Sequence, residues 1–180
     1  MDVGNEIGFV NTFLPQHIIA IRLLIAALLG AVIGFEREVN TAEAGLRTHI
    51  LVSVAGCLFT ILAFEIFHTI ESDETRSDPI RAVEAVTAGI AFLGAGAIFR
   101  SGAGVQGLTT GAGMWLAGAV GVATALGYYI IAAGTALLAV MVLAALRAFA
   151  HQVLRGSQKL ATEVNGDDGR GEKHVEPDMR

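Results

Sequence analysis

Five apolar runs, at 17–35, 48–68, 80–99, 109–126 and 128–147, leave this chain few ways to fold. About 20 apolar residues are enough for a helix to cross a bilayer. The runs are continuous rather than alternating, which favours helices over barrel strands. Charge is scarce where the apolar runs lie. Charged residues make up 16% of the chain, and 11 of the 29 fall within 152–180. An ordinary soluble domain carries about 25%, so the body cannot supply a soluble protein's charged surface. No basic stripe suits nucleic acid. Cys57 is alone in an apolar run, which excludes a disulfide framework and a thiolate metal site. The start, Met1-Asp2-Val3-Gly4-Asn5-Glu6, has no basic residue, so the first apolar run is expected to be retained rather than cleaved.

The expected fold is an all-α polytopic membrane protein with five transmembrane helices. Residues 1–16 form a short extracytoplasmic segment, 17–148 the membrane domain, and 149–180 a polar, disordered cytoplasmic tail. Lys and Arg near the helix ends set the orientation. Arg37, Arg47, Arg100, Arg147, Arg155 and Lys159 gather on one side, while Arg76 stands on the other with Arg22 and Arg81 nearby. The bias predicts an N-out, C-in topology, with Tyr128 and Tyr129 in the outer interface.

Small residues predict how the helices pack. Ala26, Gly30 and Gly34 recur every four residues in the first segment, Thr87, Ala91 and Ala95 in the third, and Gly113, Ala117, Gly121 and Ala125 in the fourth. That spacing puts each set on one helix face, where backbones approach closely. Gly94 and Gly96 take the same packing role. A weak internal repeat accompanies this pattern: Leu29-Gly30-Ala31 returns as Leu93-Gly94-Ala95, and Pro15 as Pro79.

Two polar layers stand out. The outer one holds Arg22, Glu65, Asp78, Arg81 and Glu84. Arg22 lies roughly 7–9 Å inside the first helix at about 1.5 Å per residue. An isolated charge at the bilayer centre costs about 2.5–3.5 kcal/mol on the lenient scale. These arginines are therefore expected to snorkel to the interface with a local ion pair; the sharper reading pairs Arg22 or Arg81 with Glu84 in a polar pocket between the first and third segments. The inner layer holds Glu36, Arg37, Glu38, Arg47, Thr48 and Arg100. Thr48 and Thr110 are expected to cap helix starts, with Glu36 near Arg47. The histidines at segment ends, His49 among them, read as interfacial. Ser101–Gly107 reads as a flexible Gly-rich return into the fourth segment. No nucleophile–base–acid order and no phosphate loop occurs, so no catalytic residue is assigned and no enzyme is expected.

Several strings are more specific. They are Gly34-Phe35-Glu36-Arg37-Glu38, then Ala44-Gly45-Leu46-Arg47-Thr48-His49-Ile50-Leu51-Val52, then Asp78-Pro79-Ile80-Arg81 and Gly89-Ile90-Ala91-Phe92-Leu93-Gly94-Ala95-Gly96. Gly107-Leu108-Thr109-Thr110 and Trp115 complete the series. In this order and spacing they resemble the MgtC/SapB family of bacterial inner-membrane proteins. The resemblance implies a multi-pass inner-membrane protein linked to magnesium. Its role would be either transport or regulation of another membrane complex, such as the F-type ATP synthase. Two departures accompany it. The tail is polar and glycine-bearing instead of a folded cytoplasmic domain, and Ala85 stands where the resemblance implies an amide.

Mg²⁺ enters through the resemblance alone. It wants oxygen ligands and keeps several waters. Asp78 with Glu84 or Glu65 could offer carboxylates, but the neighbouring arginines repel cations. No residue is assigned as a metal ligand, and no other cofactor is expected. The expected partners are the lipid bilayer, a second copy of the chain (five helices are few for a transporter) and a membrane complex. Nucleic acid is not among them.

Overall fold

A computed structural model of the chain describes residues 12–40, 42–70, 78–101 and 104–168. It divides into two compact units, Met1–Met141 and Val142–Arg180. Five helices form: α1 (Gln16–Val39), α2 (Leu46–Ile70), α3 (Pro79–Gly96), α4 (Leu108–Ala125) and α5 (Tyr129–Asp168). Four of them are long and apolar enough to cross a membrane: Gln16–Val39, Leu46–His68, Leu108–Ala125 and Tyr129–Ala148. Helix α3 does not join them, because its 18 residues include Arg81 and Glu84.

Two expectations of local structure are corrected. The third apolar run ends as helix at Gly96, and the Gly-rich return is an ordered hairpin. Strand β1 (Phe99–Ser101) pairs antiparallel with β2 (Gly104–Gln106), with Arg100 opposite Val105. Gly107 lets the chain pass from β2 into α4 close against the end of α3. Its φ of +81° is in the left-handed region, and a Cβ there would fall 1.9 Å from the Ala97 carbonyl oxygen. The second correction concerns the polar tail, which is helical as far as Asp168. Val153, Leu154, Leu160, Ala161 and Val164 recur at helical spacing there. Residues 169–180 lie outside the described residues.

Within the first unit, α4 is the most enclosed of the four apolar helices. Its small residues admit neighbours on several sides. A Cβ on Gly121 would lie 2.0 Å from the Ser53 carbonyl oxygen of α2, and one on Gly111 2.8 Å from the Gly94 carbonyl of α3. On α1, Cβ atoms at Gly30 and Gly34 would meet the α2 backbone at 2.7 and 2.8 Å. A Cβ on Gly94 would meet Gly111 O at 3.1 Å, whereas Gly96 has no neighbour within 4 Å and serves no contact of this kind. Helix α3 docks through Ile90 and Gly94, while Ala91 and Ala95 stay on its exposed side. The predicted Thr87–Ala91–Ala95 face is therefore not the one packed on α4. Ala132, Ala136 and Ala139 bring α5 into the core beside Met114, Ala117 and Val120.

Buried hydroxyls find backbone partners, as apolar surroundings require. Ser53 Oγ donates to the Ala26 carbonyl of α1 at 2.8 Å. Thr60 and Thr124 donate to carbonyls one turn back in their own helices, Gly56 and Val120.

Candidate functional site

Polar side chains gather at both ends of the bundle. At the end where α1 begins and α2 finishes, the five outer residues do not form one pocket. Arg22 donates through Nε to Tyr129 Oη at 3.3 Å and through a terminal nitrogen to the Ala125 carbonyl. It thereby caps the carbonyl end of α4, where a cation is favoured. Gly127, at φ +82°, turns the chain beneath it. Glu65 accepts from the backbone N–H groups of Phe13 and Leu14 at 2.7 and 2.9 Å. Phe13 stacks on His68 with ring centroids 3.8 Å apart. Together these contacts clamp the approach to α1 against the end of α2. Asp78 accepts from Ile80 N–H at 2.9 Å and starts α3. Arg81 and Glu84 stand exposed on α3. The expected pairing of Arg22 with Glu84 is replaced by Arg22's hold on α4 and α5.

The opposite end holds the denser arrangement. Arg37, near the close of α1, is only 7% exposed. Its terminal nitrogen donates to Thr110 Oγ1 on α4 at 3.2 Å. Thr110 in turn donates to Glu43 Oε2 at 2.6 Å. One hydroxyl thus joins the end of α1, the α1–α2 connection and the first turns of α4. Asn40 Nδ2 donates to the Glu36 carbonyl and to Glu36 Oε1 at 2.5 and 3.2 Å, tightening the close of α1.

His49 lies beneath this knot, fully buried on α2. Its Nδ1 donates to the Gly45 carbonyl oxygen at 2.8 Å. Nε2 faces Gly113 of α4, whose Cβ would lie 3.1 Å away. His49 Nε2 and Arg37 Nε are buried without a hydrogen-bond partner among the described residues.

The knot shares Glu36 and Arg37 with the predicted inner layer. Arg47 and Arg100 are exposed and take no part in it. Thr48 and Thr110 are not caps: α2 starts at Leu46, whose N–H donates to Glu38 Oε2 at 2.9 Å, and α4 starts after Gly107. The sequence reading missed the joint role of Glu43, His49 and Thr110. A periodic signal pointed to His49. It opens a stripe with Ser53, Gly56, Cys57 and Thr60, all buried on α2 at helical spacing.

Three influences hold the Glu43 carboxyl below its ordinary value of 4.5: the Thr110 hydroxyl first, then its own backbone N–H, then the Arg37 charge. A depressed carboxylate pKa stabilises the fold above the unfolded value, and the benefit disappears as pH falls through the folded one. Glu43→Gln is therefore expected to lower thermal stability at neutral pH. The gap to the parent protein should narrow below about pH 4.5 and close in stronger acid. Unfolding curves in detergent at pH 3 to 7 check this, and a gap that ignores pH would refute it.

Among the described residues no group of three His, Cys, Asp or Glu side chains is placed to hold a metal ion. The knot's carboxylates, with Arg37 beside them, make a poor cation cage. The arrangement suits a locked junction of three helices.

The profile of the MgtC family matches residues 23–152. YhiD of Escherichia coli K12, provisionally named a magnesium transporter, is 33% identical over 149 residues, covering 82% of this chain and 69% of that protein. SapB of Bacillus subtilis is 39% identical over 113 residues, with 62% and 49% covered. MgtC of Brucella abortus is 44% identical over 97 residues, with 54% and 38% covered. The chain spans about half to two thirds of the length of the first curated relatives it matches. No solved structure matches it. A profile covering most of the chain, carried on helices of membrane-spanning length, places this protein in the MgtC family of bacterial membrane proteins.

Proposed function

We propose that this chain is a five-pass inner-membrane protein, N-out and C-in, that serves magnesium-linked adaptation by acting on another membrane protein rather than by conducting ions. The observation carrying this reading is the closed seam between α2 and α4. Gly121 and Gly56 bring the two backbones together there, with virtual Cβ contacts of 2.0 and 2.8 Å. Mg²⁺ gives up its waters reluctantly, and a seam at that spacing has no room for a hydrated ion. The larger cavity described, about 480 Å³ beside α2 and α3, is lined by Ala55, Phe59, Ala85, Val86 and Leu93 and offers no oxygen ligands from side chains. The basic residues Arg37, Arg47, Arg100 and Arg147 support the orientation. The family resemblance implies the F-type ATP synthase as partner.

Transport is the second reading, supported by the name of YhiD. Proteoliposomes separate the two. The purified chain is expected to give no Mg²⁺, K⁺ or proton flux above empty vesicles. Co-reconstituted with F-type ATP synthase, it is expected to lower ATP-driven proton pumping. Flux that vanishes in Glu84→Ala would overturn the proposal and establish transport.

A further inference from the structure

Helix α3 has two sharply different sides. One side, with Ile90 and Gly94 buried, docks on α4. The other is open and carries Arg81, Glu84, Ala85, Ala88, Phe92 and Ala95, all exposed. At 100° per residue these six fall on one arc of the helix. Phe92 is 80% exposed and projects from among small residues.

The two charges say what covers this side. Arg81 and Glu84 lie one turn apart but form no ion pair with each other among the described contacts. Opposite charges a turn apart on one helix are self-complementary across a two-fold axis, since residue i of each copy meets residue j of the other. With the axis along the membrane normal, two α3 helices run side by side. Arg81 is then offset from the partner's Glu84 by about 4.5 Å along the axis, at 1.5 Å per residue. An arginine side chain covers that offset, and the pairing occurs twice.

We propose that the open side of α3 is the interface of a two-fold homodimer, in which Arg81 of each copy pairs with Glu84 of the other. This inference rests on the bilayer reading above, because hydrocarbon is what makes exposed charges seek a partner. It places a protein surface over the one helix whose composition keeps it out of the apolar set.

Cross-linking of the full chain in native bacterial membranes tests it. Ala88→Cys and Ala95→Cys sit at the centre of the face, and Leu28→Cys, 59% exposed on α1, is the control. Oxidation is expected to give disulfide-linked dimer from the two α3 variants, about fivefold or more above the control. Arg81→Glu or Glu84→Arg added to Ala88→Cys should cut that product about tenfold by placing like charges together. The two reversals combined should restore it. Equal cross-linking at Leu28→Cys, or a double reversal no better than the singles, overturns the dimer. Each variant's yield in the pelleted membranes is read in parallel. Chain in the supernatant would instead overturn the bilayer reading, whereas pelleted chain without α3-specific product overturns the dimer alone.

Discussion

Gly121→Ala is expected to destabilise the protein by about 3 kcal/mol or more, beyond the usual 1–3 for overpacking. The added methyl would sit 2.0 Å from the Ser53 carbonyl oxygen and 3.0 Å from the Cys57 amide nitrogen. Both atoms belong to the α2 backbone, so no rotamer change relieves the contact and the helices must separate. Separation also strains the bond from Ser53 to the Ala26 carbonyl, which ties α2 to α1. For a chain of this size the loss corresponds to roughly 6–12 °C in Tm. Gly96→Ala is the matched control. It adds the same methyl where nothing lies within 4 Å, at the last residue of α3, and is expected to cost little or nothing. Thermal unfolding of the two variants in one detergent checks the pair. Similar losses in both would show that the α2–α4 seam is looser than described.

Arg37→Met should cost about 2–4 kcal/mol, while Arg47→Met and Arg100→Met should stay within about 0.5. All three arginines lie at the same end of the bundle, but only Arg37 is buried. Methionine keeps most of the stem volume, so the loss reports the guanidinium rather than a cavity. Removing it leaves Thr110 with Glu43 alone and takes away a charge that favours the Glu43 carboxylate. The junction of α1 with α4 loosens first, which limited proteolysis of the α1–α2 connection would detect alongside Tm. Three equal losses would mean that Arg37 acts only as a surface charge.

These arginines show where sequence reasoning reached and where it stopped. Length and apolarity placed all five helices to within a few residues at most ends, because burying backbone in hydrocarbon admits few alternatives. Four-residue spacing marked Gly30, Gly34, Gly113 and Gly121, each of which lies against a neighbouring helix. Spacing could not tell which side of α3 would be packed, since Ala91 and Ala95 are as small as Gly94. It could not separate Arg37 from Arg47 either. Charge counting sees the same cation at the same end, whereas burial depends on Thr110, 73 positions away. The hairpin escaped notice for a related reason. Its strands are three residues each, too short for an alternating pattern to show in a glycine-rich string.

The enclosure of Cys57 has a practical corollary. With no accessible surface, the native thiol is shielded from alkylating reagents and oxidants while the bundle is intact. A second cysteine introduced for spectroscopy can therefore be labelled without first removing the natural one. Should a reagent begin to modify the natural position, the experimenter has a built-in alarm that the helices have come apart.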